Sequence, residues 1–306
     1  PFPGTGRLPL APCGGLDPEL DIFVVRILYG QKGQQVMTMQ FKGVAIIAGD
    51  GRLPLEIARR LTTRGYPPIV YSFGEHEASL SKFALELIEL SSLNLGFVIE
   101  DMRRRGVCEI IMAGVVPKTL MYHQGLHDEQ LKKLLQSLES RDDHNLLANI
   151  VLTLEKEGFK VIGYRDIISD WLAPEGHFAG RLPTNGELED VEYGKAIAKV
   201  LLPLSFGQTL VVHKKAVVAV EAMEGTDAML LRAGSLAKGG VVIQMMRPDQ
   251  DERYDLPTVG VRTLQNMLNA GLKCLAVEAG KTVIIKPDEF KRFASDFDIS
   301  VLGVRH

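Results

Sequence analysis

The sequence predicts an α/β fold on three observations. From residue 41 onward, short apolar runs alternate with longer amphipathic segments, the order expected of a parallel sheet with helices on both faces. Glycine and proline punctuate those runs where strands and helices would start and stop, as at Gly49, Pro54 and Gly65. The composition, 46% hydrophobic and 24% charged over 306 residues, is that of an ordinary globular chain able to bury a core. At ~150 residues per domain the length predicts two domains.

Composition also excludes function classes. With 35 basic and 38 acidic residues the formal net charge is −3, so no basic surface points to nucleic acid. Cys13, Cys108 and Cys274 are far apart with no CxxC pair, which suits a reducing compartment and argues against structural zinc. No apolar run approaches the ~18 residues a membrane span needs. The run from Ile22 to Tyr29 is interrupted by Arg26 and is a poor secretory core. A cytoplasmic address is expected.

Residues 1–40 read as an atypical extension without regular structure, the first 36 holding five of the 15 prolines. Within it, Gly4 to Leu10 nearly repeats Gly49 to Leu55, but no strand precedes that copy and the match stops there. Residues 41–173 are expected to form the first domain. Its strands are placed at 43–48, 68–73, 107–112 and 159–163, and its helices at 54–64, 81–105, 129–139 and 143–157. Pro54 suits a first helical turn, where its missing N–H costs nothing. Basic residues 103–105 suit a helix end. Residues 174–306 form the second, the Pro- and Gly-rich stretch 174–186 reading as a linker or interdomain loop. Helices are expected there at 187–200, 227–236, 260–270 and 287–295. A hairpin is expected at 208–213 and 216–221, and strands at 240–246, 273–278, 281–285 and 299–303, in mixed order.

Three constellations could carry chemistry. Gly49-Asp50-Gly51-Arg52-Leu53-Pro54 is a glycine-rich strand-to-helix turn whose backbone N–H groups could receive a phosphate, though it lacks a third glycine and a Walker lysine. In Glu221-Ala222-Met223-Glu224-Gly225-Thr226-Asp227, acids end a strand and open a helix. Thr226 or Asp227 could be a plain cap, or Glu224 and Asp227 could reach a metal. From Arg247 to Arg262 aspartates and arginines interleave, a set able to hold Mg²⁺ and clamp phosphate oxygens. His123 and His127, spaced i, i+4 without further ligands, read as exposed histidines, and Trp171 as a packing residue.

In order along the chain stand residues 43–54, Met112-Ala113-Gly114, Asp142-Asp143, Leu172-Ala173-Pro174-Glu175-Gly176, Glu224-Gly225-Thr226-Asp227-Ala228-Met229 and Gln250-Asp251-x-Arg253-x-Asp255-Leu256-Pro257. This set resembles the UDP-2,3-diacylglucosamine pyrophosphatases of lipid A biosynthesis, of the type unrelated to metallophosphoesterases. The resemblance covers residues 43–304. It implies a Rossmann-like N-terminal domain with a parallel sheet, joined to a mixed α/β C-terminal domain of unusual topology, with substrate between them. It also implies Mg²⁺-dependent cleavage of the substrate's diphosphate to UMP and 2,3-diacylglucosamine 1-phosphate. Val115 to Lys118 and Arg141 depart from the family pattern, where an arginine and a glycine are usual.

On that basis Asp251, Asp255, Asp227 and Arg253 are the expected catalytic residues. Asp251, Asp255 and Glu224 are the expected Mg²⁺ ligands. Gly49, Gly51, Arg52, Gly114, Thr226, Thr258 and Arg262 are expected to contact substrate. The partner is the lipid-linked nucleotide sugar, with peripheral contact to the inner membrane and a homodimer as further expectations. Met223, Met229, Met245, Met246 and Met267 are candidates to line an acyl groove, though most methionines should be core. The alternatives are an NAD(P)-binding protein, disfavoured by the missing glycine, and a nucleotide-sugar binder without turnover.

Overall fold

The computed structural model describes residues 43–73, 76, 78–90, 92, 94–115, 128, 131, 143–205 and 207–305. The expectations for residues 1–40, for a helix at 129–139, and for His123, His127 and Asp142 lie outside the described residues.

The first half opens with β1 (Val44–Ala48) and α1 (Leu53–Thr63), then β2 (Ile69–Phe73), β3 (Glu86–Leu90) and α2 (Leu95–Arg104). It continues with β4 (Glu109–Ala113), α3 (Asp143–Lys156) and β5 (Lys160–Val161). These strands form one all-parallel sheet in the order β3-β2-β1-β4-β5. The chain works outward from β1 to β3 and then crosses back to β4. The strand order therefore reverses between β1 and β4, where open α/β sheets bind ligands.

The single helix expected over 81–105 is instead a strand followed by a helix. Residues 86–90 carry apolar side chains compatible with either period, and pairing decides between them: β3 lies along β2 through all five residues, occupying its backbone groups. A fresh helix then starts at Asn94, whose side chain accepts the Phe97 N–H at 2.8 Å.

The second half contains β6 (Gly176–Ala179), α4 (Asn185–Leu201), β7 (Thr209–His213), β8 (Ala216–Val220) and α5 (Gly225–Leu236). Next come β9 (Val241–Gln244), β10 (Thr258–Val259), α6 (Val261–Ala270) and β11 (Cys274–Glu278). It ends with β12 (Val283–Ile284), α7 (Pro287–Asp296) and β13 (Ser300–Val304). Its main sheet runs β6-β13-β11-β9-β7-β8 and mixes directions: β9, β11 and β13 are parallel, while β6, β7 and β8 oppose their neighbours. The stretch 174–186 is thus more than a connector, because β6 closes an edge of this sheet and the Thr184–Glu187 capping box starts α4.

Strand alternation sends residues to opposite faces of each sheet. Ala45, Tyr71 and Ile110 pack under α2 and α3, whereas Ile46, Ala48 and Val70 pack under α1. On the second sheet Val242, Leu275 and Val301 meet α5, α6 and α7, while Val241, Ile243 and Ala276 meet α4. The cluster under α1 also takes in Met246, Leu256 and Val283 of the second half, so the two halves share a core. Trp171 lies in that shared core, 8% exposed, with the Arg60 guanidinium 5.5 Å from its ring centroid. Met229, Met245, Met246 and Met267 are buried core residues, and Met223 stands 93% exposed.

Candidate active site

The first group of site residues lies at the reversal point. Gly49 and Asp50 leave β1 against the end of β4, where Gly49 N–H donates to Ala113 O at 2.9 Å. Asp50 and Val115 exchange backbone bonds of 2.7 and 3.0 Å. Only glycine permits this approach. A β-carbon on Gly49 would meet the Val115 carbonyl oxygen at 2.5 Å, and one on Gly114, at φ +90°, would meet Asp50 O at 2.8 Å. Gly51, at φ +103°, then turns the chain to Arg52 and into α1, whose first turn has no side-chain cap. Gly49, Gly51, Arg52 and Gly114 are therefore gathered where β1 and β4 end and α1 begins.

The second group sits where β8 turns into α5. Glu221, 9% exposed, accepts the Thr226 hydroxyl at 2.7 Å and the Gln208 N–H at 3.3 Å, fixing the start of the helix. Asp227 accepts Asn266 Nδ2 at 2.7 Å and faces Arg262 Nη2 at 2.7 Å, so the carboxylate is held from α6. Glu224 turns to Arg232, which holds its carboxyl below the usual range and also donates to Val220 O at 3.1 Å.

The third group is the loop between β9 and β10. Arg247 and Gln250 close its first turn, Arg247 N–H donating to Gln250 Oε1 at 2.8 Å. Burial raises the Asp249 carboxyl, but hydrogen bonds led by that from Arg247 outweigh it and leave it below the usual range. Asp251 accepts the Arg253 backbone N–H at 2.9 Å, Arg253 Nε at 3.0 Å and Nη2 at 2.7 Å. Hydrogen bonding to Asp251, with Glu155 in support, holds the Arg253 proton more firmly than usual. The Asp255 N–H donates to Asp251 O at 2.9 Å, placing the two aspartates one turn apart. Thr258, on β10, donates its hydroxyl to Leu256 O at 3.1 Å.

This loop is seated on the first half. Glu155 of α3 meets Arg253 Nη1 at 2.6 Å, and Arg165 Nη1 meets Glu252 at 2.9 Å. Glu278, buried at the end of β11, accepts the Met246 N–H at 2.9 Å and faces Lys281 at 3.1 Å. Sequence reasoning did not single out Glu155, Arg165 or Glu278. Glu278 carried a visible signal, an acid closing a buried apolar strand, and Glu155 another, an acid in the last turn of a helix, where the dipole disfavours it.

Some expected sites do not assemble as anticipated. Among the described residues no three His, Cys, Asp or Glu side chains gather as a cation cage requires. Asp251, Asp255 and Glu224 are therefore not gathered as one ligand group among the described residues: Glu224 pairs with Arg232 of α5, while Asp251 and Asp255 belong to the β9–β10 loop. Of the three expected ligands, Asp251 and Asp255 lie one turn apart on the β9–β10 loop. That suits an ion held by one or two carboxylates plus substrate phosphates and water, the usual manner of Mg²⁺.

Two family models match the chain, the LpxI N-terminal domain over residues 43–171 and the LpxI C-terminal domain over residues 174–302. A relative from Caulobacter vibrioides named UDP-2,3-diacylglucosamine pyrophosphatase LpxI is 29% identical over 274 residues, covering 85% of this chain and 97% of the relative. Among solved structures, the biotin carboxylase subunit of pyruvate carboxylase aligns at 16% identity and TM-score 0.24, over 56% of this chain and 35% of that one. The biotin carboxylase domain of a thermophilic 2-oxoglutarate carboxylase aligns at 16% and TM-score 0.23, over 56% and 35%. The chain thus spans about a third of those proteins, and likeness of that degree carries no argument. With both models matched in order along residues 43–302, the chain belongs to the LpxI family.

Proposed function

We propose that the chain hydrolyses the diphosphate of UDP-2,3-diacylglucosamine, giving UMP and 2,3-diacylglucosamine 1-phosphate in lipid A biosynthesis, with Mg²⁺ and with substrate between the two halves. The observation that carries the reading is the pairing of both family models with a full-length relative named for that activity. The geometry supports it: the glycine turns, the start of α5 and the β9–β10 loop lie at strand ends of two sheets that share a core.

A diphosphate carries two negative charges that repel an attacking water. Arg253 meets them with a planar guanidinium whose Nε edge is squared by Asp251, so that its remaining Nη2 N–H can be aimed at a phosphate oxygen. The uncapped first turn of α1 offers backbone N–H groups to a second phosphate oxygen. Asp227, held by Asn266 and Arg262, is a carboxylate whose orientation is set before substrate arrives, as a group that orients or deprotonates water requires. Asp251 and Asp255 are the residues that would hold Mg²⁺, which supplies charge neutralisation and lowers the pKa of a bound water.

No helix among the described residues is long and apolar enough to cross a membrane. With a substrate that carries two acyl chains, the proposal includes peripheral contact at the cytoplasmic face of the inner membrane. The test is direct: incubate the full chain with UDP-2,3-diacylglucosamine and Mg²⁺ and follow UMP. UMP release abolished by EDTA and restored by Mg²⁺ is expected. Binding without UMP would overturn the reading in favour of a nucleotide-sugar binder, and release untouched by EDTA would remove Mg²⁺ from it.

A further inference from the structure

We propose that Glu155 is a positioning residue for this reaction, aiming the Arg253 guanidinium from the opposite half of the molecule. The inference rests on the reading of Arg253 as a phosphate-binding residue.

A guanidinium has five N–H donors in one plane, so fixing two of its edges fixes the third. Asp251 takes Nε and one side of Nη2, at 3.0 and 2.7 Å. Glu155 Oε1 takes Nη1 at 2.6 Å, and the Val161 carbonyl lies 3.4 Å from the same nitrogen. Those partners account for four donors and leave the second N–H of Nη2 for a substrate oxygen. Asp251 belongs to the same short loop and moves with Arg253, so it cannot by itself register the arginine against the first half. Glu155 can, because it projects from α3, 98 residues away in the chain.

Two features of the surroundings say that this contact is built in. Gly163 stands directly behind the loop, where a β-carbon would lie 3.3 Å from Arg253 Cα, so the backbone approach is already tight. Glu155 also occupies the last turn of α3, where the helix dipole works against a carboxylate. A nearby arginine offsets that cost; its own helix contributes only Lys156 as a basic residue in that turn.

The experiment compares the full chain with E155Q, E155D, R253K and E155Q/R253K by steady-state UMP release and urea midpoint. A misaimed clamp costs about tenfold or more in rate without unfolding anything. The expected result is kcat of E155Q down at least about tenfold with KM within about threefold, and a urea midpoint unchanged. E155D should recover most of kcat, and E155Q/R253K should be no slower than R253K alone. A merely structural contact would instead shift the midpoint and leave kcat per folded molecule intact. That result overturns the inference, as does a double variant whose losses multiply. A crippled R253K beside a fully active E155Q overturns the role of Glu155 alone. A fully active R253K overturns it together with the placement of Arg253 at the site.

Discussion

Gly114 faces Gly49 so closely across the ends of β4 and β1 that a β-carbon on Gly114 would lie 2.7 Å from the Gly49 carbonyl oxygen. Since Gly114 also has φ +90°, Gly114→Ala carries both a backbone clash and left-handed strain. Each such defect costs ~1–3 kcal/mol, so a melting temperature lower by several degrees is expected. Gly51→Ala, at φ +103° with nothing within 4 Å of the new carbon, should lose less. Thermal melts of the two variants rank them, and equal midpoints would contradict the packing described for this turn.

Asp251→Asn keeps the shape of the side chain but removes the charge that squares Arg253. Losing a charge contact realised in the transition state typically costs ~10²–10³ in kcat. UMP release at saturating substrate should fall by that order, with the fold retained by circular dichroism. A wild-type rate would take Asp251 out of the catalytic set.

Much of the fold was legible because buried strands and helix punctuation are local signals: the hairpin 209–220 and the start of α6 fall within a residue or so of expectation. What failed was non-local. Residues 86–90 become a strand only because β2 offers an unpaired edge, and residues 176–179 only because β13 does. The same holds at the site. The motif around Asp251 was visible as a run of charges, but its partners Glu155 and Arg165 lie 98 and 87 positions from the residues they bind. Residue type alone groups Glu224 with Asp251, whereas in the fold Glu224 pairs with Arg232.

Asp101 predicts how the first half responds to acid. Burial alone would raise its carboxyl, but hydrogen bonds from Tyr71, Arg104 and Arg105 outweigh that and hold it below the usual range. A carboxyl depressed in the folded state adds stability that is fully present above its unfolded pKa, about 3.9. That stability is lost as pH falls through the folded value. Urea midpoints should therefore drop on going below about pH 4. Asp101→Asn should be less stable than the parent at pH 7 and lose less on acidification. An unchanged pH slope in the variant would assign the acid sensitivity elsewhere.

The hairpin between β7 and β8 turns on Lys214 and Lys215, at φ +52° and +58°, the left-handed pair a two-residue turn of this type requires. Lysine is a poor choice for that geometry. The turn persists because Asp190 of α4 accepts both backbone N–H groups, at 2.8 and 2.6 Å. Two predictions of opposite sign result. Lys214→Asn with Lys215→Gly supplies residues that adopt positive φ at little cost, so stability should rise by ~0.5–1 kcal/mol. Asp190→Ala strips the anchor from two amides and should lower it by ~1–3 kcal/mol. In the Asn-Gly background the turn no longer depends on that anchor to the same degree, so Asp190→Ala should cost less there than in the parent chain. Equal costs in both backgrounds, read from urea midpoints, would mean that Asp190 contributes hydrogen bonding alone and does not offset the strain.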